Sequence, residues 1–445
     1  MKKVLILGAG LSTSSLIDYL LNNAIEHNWH ITVADIDEET ARSKVNGHER
    51  GSAKIFDIND DTESWRTIAK NDVVISMLPA SMHHLVAKKC IDLRKPMLTA
   101  SYASEEIKAL NDEAIKAGIP IYMELGLDPG IDHMSAMKVI NRIKDTGGEL
   151  TSFYSFTGGL IAPESDNNPW NYKFTWNPRN VVLAGNGVSQ FIHNGRYKYI
   201  PYHRLFDRVM LRKILQYGEF EVYANRDSLK YRGIYNLKDI PSMYRGTIRR
   251  PGFSKAWNVF VRLGMTEDDY TIEDSENMTY RQFLNTFLRY EPNVPAEIKL
   301  QEYCKNASDP VVMDKLKWLG IFDDRKVGLK NASPAKILQK LLVEKWSMDP
   351  DDRDMIIMQH EFKYKFDGIE KMIVSAMAII GKDQTETAMA MTVGLPLGIA
   401  TKLLLTGKFE HTGVNLPIDK DIYEPILTEL ETFGISFEEN EYMIG

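Results

Sequence analysis

Val4-Leu5-Ile6-Leu7-Gly8-Ala9-Gly10-Leu11-Ser12-Thr13 is the stretch whose reading decides the fold. Four consecutive apolar residues describe a strand buried on both faces, the habit of parallel sheets. The glycines that follow make a turn, and a helix is expected from about residue 11 to 22. Strand, Gly-x-Gly turn and helix form the dinucleotide fingerprint, here with Thr13 in place of the third glycine. Gly8 allows the tight turn, and Gly10 lets a pyrophosphate approach the backbone. Leu11, Ser12 and Thr13 open the helix, whose N–H groups and partial positive charge face the phosphates. Thr13 suits either close helix–sheet packing or a hydrogen bond to phosphate.

Asp35 ends a second apolar run, Ile31-Thr32-Val33-Ala34, about 20 residues beyond the turn. A carboxylate there accepts hydrogen bonds from the adenosine ribose and repels a 2′-phosphate. Ile36 follows, where an arginine would serve that phosphate. NAD is the expected cofactor and NADP the alternative. The competing reading of Asp35 is a solvated loop aspartate beside Asp37 and Glu38.

Further apolar runs lie at 72–76, 96–99 and 119–122, with helical stretches at 84–93 and 104–117 between them. The alternation predicts an α/β fold, an N-terminal Rossmann doubly wound parallel sheet. Ser76-Met77-Leu78-Pro79-Ala80 ends the strand that passes under the nicotinamide, so Met77 and Leu78 are assigned beside the cofactor. After residue 130 the texture changes to a helix at 132–144, a strand at 150–157 and a polar, aromatic stretch at 158–180. Residues 262–346 read as helical, 354–362 as a strand, 372–380 as a strand or short helix, and 392–405 and 422–433 as helices. The expected division is a first domain at 1–130, completed by 398–445. A second α/β substrate and dimerisation domain takes 131–261 and 347–397, with a helical insertion at 262–346.

A chain of 445 residues is too long for one core. Its 44% hydrophobic and 26% charged residues are those of a soluble globular protein. No apolar run approaches the roughly 20 residues that span a bilayer, so no membrane is expected. Lys2-Lys3 and the short run after them read as a strand, not a signal peptide. The two cysteines, Cys90 and Cys304, form no CxxC pair, which points away from zinc or a disulfide framework and toward the cytoplasm. A net charge of −7 argues against nucleic-acid binding. Residues 190–215 nonetheless concentrate Arg196, Lys198, Arg204, Arg208, Arg212 and Lys213. That run is either a solvated helix face or a pocket wall facing an anion.

Several segments together carry a family resemblance: residues 99–102 (TASY), 124–133 (ELGLDPGIDH), 158–164 (GGLIAPE), 168–176 (NPWNYKFTW), 225–229 (NRDSL), 245–253 (RGTIRRPGF) and 394–398 (GLPLG). Together they resemble the saccharopine dehydrogenases (L-glutamate-forming), also called saccharopine reductases. The resemblance implies a homodimer of a Rossmann domain and an α/β substrate domain, and a reaction in which saccharopine, NAD(P)⁺ and water give glutamate, aminoadipate semialdehyde and NAD(P)H. It implies substrate contacts at Ser101, Tyr102, Asp128, Arg226, Arg245, Gly246 and Thr247. It implies nicotinamide contacts at Ala100, Ser101, Leu127, Pro129 and Thr175. Two departures stand out. NADP-using relatives often carry Cys-Arg where this chain has Asp35-Ile36, and many relatives have a cysteine where Thr157 stands, so no catalytic role rests on a thiol.

The chemistry fits these residue types. A substrate with three carboxylates calls for guanidinium forks. Arg226 and Arg245 lie among turn formers, and Arg249 and Arg250 read equally well as surface or pocket residues. Hydride transfer needs a neutral amine and a positioned acid/base. Asp128 and Tyr102 are the catalytic candidates, on loops after consecutive strands; their structural readings are a turn former before Pro129 and a packing ring. His133 reads as a structural histidine. His83, His84 and His360 show no metal pattern, and no metal is expected. The aromatic residues of 170–176 read as a mixture of pocket wall and packing. Two other functions compete: a dehydrogenase for another secondary amine such as carboxynorspermidine, which would call for acids rather than Arg226 and Arg245, and a catalytically silent nucleotide-binding protein.

Overall fold

A computed structural model of the chain describes residues 1–444 and divides it into two compact units. The first takes Met1–Gly148 and Ile379–Glu438, the second Glu149–Ala378 and the segment from Glu439. In the first unit the strands are β1 (Lys2–Leu7), β2 (Trp29–Asp35), β3 (Gly51–Ile55), β4 (Val73–Ser76), β5 (Met97–Leu98) and β6 (Pro120–Tyr122). Each is followed by helix: α1 (Ser14–Ala24), α2 (Glu38–Val45), α3 (Asp61–Ala69), α4 (His83–Asp92), α5 (Glu105–Ala109), α6 (Asn111–Ala117) and α7 (Ile131–Asp145). With a late strand, Gly413–Asn415, they form a seven-stranded parallel sheet. The order runs from that strand through β6, β5, β4, β1 and β2 to β3. Val4 to Leu7 are fully buried, as a strand covered on both faces requires. Strand order reverses at β1, and the crevice beyond the carboxyl ends of β1 and β4 is where such sheets bind ligands.

The observed boundaries differ from those expected. Residues 131–148 and 379–397, expected in the second domain, belong to the first unit. Packing explains each case. The amide of Asn141 in α7 donates to the Tyr423 hydroxyl at 3.0 Å, tying α7 to the helix Lys420–Glu431. The helix Ala388–Leu405 lies against α1, and its glycines set the approach. A Cβ on Gly394 would stand 2.7 Å from the Leu16 nitrogen, and one on Gly398 2.7 Å from the Tyr19 ring. By length and composition this 18-residue helix, mean hydropathy 1.6, could cross a membrane, but 83% of it is buried inside the protein. It is a core helix of the first unit. Conversely, the segment from Glu439, expected in the first domain, joins the second unit, where the Ile444 N–H donates to the Glu370 carbonyl.

The second unit holds β7 (Glu149–Ile161), β8 (Val188–His193), β9 (Arg196–Pro201), β10 (Met210–Lys213), β11 (Glu219–Ala224), β12 (Ser242–Arg249), β13 (Asp354–Phe366) and β14 (Ile369–Ile380). Their sheet runs β10, β11, β12, β7, β13, β14 and then the strand Glu438–Met443, while β8 pairs with β12 and β9. β7 and β12 are parallel, whereas β10–β11, β11–β12 and β7–β13 are antiparallel. The basic stretch 190–215 is therefore a hairpin, a 3-10 turn and an edge strand rather than a helix. Its charges mostly face solvent, and Arg212 pairs with Glu361 at 2.6 Å. Trp170 and Tyr172 are fully buried; Tyr172 packs on Trp346 with centroids 5.1 Å apart, and Trp170 donates its indole N–H to the Lys315 carbonyl. These two rings are core, not pocket wall. Helices Tyr280–Asn285, Ala296–Tyr303, Pro310–Leu319 and Pro334–Trp346 fill much of the segment expected to be helical.

Candidate active site

The dinucleotide turn has the features its sequence demands. Gly8 sits at φ +101°, and a Cβ there would meet the Met77 carbonyl at 2.8 Å, so β1 and the β4 end approach as only glycine permits. Gly10 has open space above it, and a Cβ there would meet no atom within 4 Å. Among the described residues no side chain caps the following turn, Leu11–Thr13; the Thr13 N–H donates to the Gly10 carbonyl at 3.1 Å, and the Leu11 and Ser12 N–H groups are left for an anion. Thr13 bonds the Gly10 carbonyl through its hydroxyl at 2.7 Å, so it braces the turn from within. Asp35 accepts the Ala9 N–H at 2.7 Å and the Asp37 N–H at 3.1 Å. Its carboxylate is thus locked at the end of β2 with lone pairs to spare for ribose hydroxyls. Ile36, next in the chain, and Leu11, in the glycine turn, are exposed apolar residues. These residues fit a dinucleotide.

Beyond the carboxyl ends of β4, β5 and β6 the chain builds a second constellation. Met77 is anchored by its N–H to the Leu7 carbonyl, and Leu78 packs on the buried core. Ala100, Ser101 and Tyr102 follow β5. The Tyr102 hydroxyl donates to Asp128 Oδ1 at 2.7 Å, which joins the two catalytic candidates in one hydrogen bond. Tyr102 is exposed and Asp128 partly so. The turn carrying Asp128 closes on itself: Gly126 N–H donates to the Pro129 carbonyl, and a Cβ on Gly130, φ +147°, would lie 2.0 Å from the Gly126 oxygen. Leu127 and Pro129 are buried around it, and Gly126 faces Ala100.

Beneath this turn lie residues that sequence reasoning leaves without an active part. Glu124 is buried at φ +62° and accepts the Ala103 N–H at 3.0 Å. Its other oxygen stands 2.6 Å from His133 Nε2. The Glu124 N–H donates to the Ser101 carbonyl, so this one residue fastens the Tyr102 loop to the turn of Asp128 from both directions. Asp132 accepts the Gly130 N–H at 2.6 Å and braces the turn at the start of α7. His83, at the start of α4, bridges Ser76 Oγ at 2.8 Å and Ser101 Oγ at 2.7 Å. Burial and the neighbouring His84 lower its pKa to about 4, so its imidazole is neutral at ordinary pH. Only the Glu124-to-His133 stretch carries a signal in the sequence, as part of a recognised segment. His83 carries none, because its partners lie on other strands.

In the second unit, β11 and β12 pair Ala224 with Gly246 and Tyr223 with Thr247. A Cβ on Gly246 would meet Val222 at 2.5 Å. The Thr247 hydroxyl donates to Asn225 Oδ1 at 2.5 Å, the Asn225 N–H to the Arg245 carbonyl, and the Arg245 N–H to Ser228 Oγ. The segments 225–229 and 245–247 therefore make one surface. Arg245 is buried with its guanidinium 4.1 Å from the Tyr231 ring, while Arg226 is more accessible. Arg249 is buried among Tyr172, Tyr223 and Phe253, and Arg250 donates to the Tyr217 carbonyl. Thr175 is buried, with its hydroxyl unbonded. Among the described residues no group of three His, Cys, Asp or Glu side chains could hold a metal.

A parallel sheet with an uncapped Gly-x-Gly turn, and a hydrogen-bonded Tyr102–Asp128 pair past the adjacent strands, has the build of a nicotinamide-dependent oxidoreductase. Residues 4–121 match the family described as "Saccharopine dehydrogenase NADP binding domain", and residues 126–435 match "Saccharopine dehydrogenase C-terminal domain". The chain belongs to the saccharopine dehydrogenase family. It is 33% identical to saccharopine dehydrogenase [NADP(+), L-glutamate-forming] of Saccharomyces cerevisiae, over 98% of this chain and 99% of that one. It is 34% identical to the mitochondrial alpha-aminoadipic semialdehyde synthase of Rattus norvegicus over 98% of this chain, and spans 47% of that longer protein. The apo saccharopine dehydrogenase (L-Glu forming) structure from Saccharomyces cerevisiae superposes with TM-score 0.90 at 31% identity, covering 99% of this chain and 100% of that one.

Proposed function

We propose that the chain oxidises saccharopine to glutamate and aminoadipate semialdehyde, with NAD⁺ preferred over NADP⁺. The observation that carries the reaction is the hydrogen bond between Tyr102 and Asp128 on loops after neighbouring strands of a dinucleotide-binding sheet. The bound dinucleotide supplies the hydride acceptor. Asp128 Oδ1 takes the proton of the secondary amine, so that the nitrogen lone pair is free as the adjacent C–H bond breaks. Tyr102, bonded to the same oxygen, holds that carboxylate in place; water adds to the resulting iminium and loses a proton, and the proton held by Asp128 passes through the Tyr102 hydroxyl to the carbinolamine nitrogen. The C–N bond then breaks to give the aldehyde and the amine of glutamate. Arg245 and Arg226 are assigned to the substrate carboxylates, a task suited to guanidinium forks.

The coenzyme preference rests on charge. Asp35 is fixed by two backbone N–H groups, and Asp37, Glu38 and Glu39 follow it, with Arg42 already paired to Glu38 at 2.6 Å. A 2′-phosphate placed there meets carboxylates, and the nearby guanidinium of Arg42 is already engaged. The relative from Saccharomyces cerevisiae bears NADP(+) in its name, so this chain would differ in coenzyme. The same reading includes a homodimer working in a reducing, cytoplasmic compartment, in keeping with two free, buried cysteines. Absorbance at 340 nm with saccharopine and either NAD⁺ or NADP⁺ tests it. Reduction of NAD⁺ at the higher kcat/KM is expected. No reduction of either would remove the reaction, and a preference for NADP⁺ would remove only the Asp35 argument.

A further inference from the structure

The Ser76–His83–Ser101 chain lies wholly in the first unit, at the carboxyl ends of β4 and β5, and nothing in the reaction above uses it. Ser76 is fully buried at the end of β4, His83 is buried at the start of α4, and Ser101 is partly exposed next to Tyr102. A neutral imidazole donates through one nitrogen and accepts through the other, so the chain has two polarities. In one, Nδ1–H donates to Ser76 and the Ser101 hydroxyl is consumed as donor to Nε2. The buried Ser76 O–H then has no acceptor, because its hydroxyl has His83 as its one hydrogen-bond partner among the described residues. A buried donor without an acceptor is the costly outcome. In the other polarity Ser76 O–H donates to Nδ1 and Nε2–H donates to Ser101 Oγ. Every buried donor is then satisfied, and the Ser101 O–H is left pointing outward.

We propose that His83 and Ser76 are positioning residues that make Ser101 a hydrogen-bond donor, aimed at an acceptor oxygen of the bound ligand. The oxygen is either a substrate carboxylate or the nicotinamide carboxamide. The low pKa of His83 supports this, since a protonated imidazole would donate at both ends and lose the selection. The inference deepens the proposed function and rests on it for Ser101 facing the ligands.

The test is a double-mutant cycle of Ser76→Ala and Ser101→Ala, with KM and kcat for saccharopine and NAD⁺ and the NADH Kd by fluorescence. Ser76→Ala removes the constraint on the tautomer and lets Ser101 turn inward. It is expected to raise one ligand's KM about 10-fold, the worth of roughly 1.4 kcal/mol, with kcat within about twofold. In the Ser101→Ala background the same change is expected to do nothing further. A rise for saccharopine identifies the carboxylate, and a rise for NAD⁺ together with the NADH Kd identifies the carboxamide. Unchanged KM values in Ser76→Ala, or effects that add in the double variant, overturn the inference. Failure of the proposed function appears separately, as wild-type protein inert toward saccharopine. The NADH Kd of the four proteins then decides, and no change in it overturns the inference as well.

Discussion

Replacing Glu124 by alanine should loosen the loop that carries Tyr102. Its carboxylate is buried, with one oxygen on the Ala103 N–H at 3.0 Å and the other 2.6 Å from His133 Nε2. His133 is itself fully buried. The substitution removes a buried acceptor from both the Ala103 N–H and His133 Nε2, each at a cost of about 1–3 kcal/mol, so a loss near 4 kcal/mol is expected. For a folding unit of this size each kcal/mol moves Tm by roughly 2–4 °C, which gives a fall of about 8–16 °C. Glu124→Gln keeps an acceptor for Ala103 and should lose about half as much. Differential scanning calorimetry reads the shift, and kcat/KM should fall in both variants because Tyr102 is no longer held against Asp128. A Glu124→Ala protein that melts within about 2 °C of wild type, with unaltered kcat/KM, would refute the reasoning.

Other outcomes follow from single contacts. Asp128→Asn should lower kcat by about 10²–10⁴-fold in saccharopine turnover, the usual worth of a positioned acid/base. Gly10→Ala meets no atom within 4 Å, so its Tm should match wild type while its NADH Kd, read by fluorescence, rises about 10-fold or more because the methyl occupies phosphate space. Gly394→Ala should do the reverse, losing about 1–3 kcal/mol in chemical denaturation through the clash with Leu16, with coenzyme affinity retained. Asp35→Ala combined with Ile36→Arg should move the NADP⁺ to NAD⁺ ratio of kcat/KM toward NADP⁺ by at least about 10-fold, roughly 1.4 kcal/mol.

The first unit was legible where burial writes continuous apolar runs, as in Val4–Leu7 and Val73–Ile75. β3 escaped notice because Gly51–Ile55 is a half-buried edge strand with no such run. The hairpin of β8 and β9 was hidden by the basic, mostly exposed residues of β9, which imitate a charged helix face. Domain boundaries failed at 148 and 379 because helix–helix packing across 282 residues of sequence, as between Asn141 and Tyr423, leaves no local trace. Tyr102 and Asp128 could be named from recognised segments, and the hydrogen bond between them was not foreseen. Glu124 lay in such a segment, but its role depends on a positive φ and on Ala103, which only the folded chain supplies. The bond of His83 to Ser76 is made within the β4–α4 connection, while its bond to Ser101 depends on β4 pairing with β5.

A crystal structure of the protein with NADH and saccharopine weighs most directly on whether these residues form an amine-oxidising centre. The secondary amine is expected within about 2.6–3.2 Å of Asp128, and the Arg245 guanidinium on a substrate carboxylate. Saccharopine bound elsewhere, with Asp128 facing solvent and Arg226 and Arg245 touching no carboxylate, would contradict it.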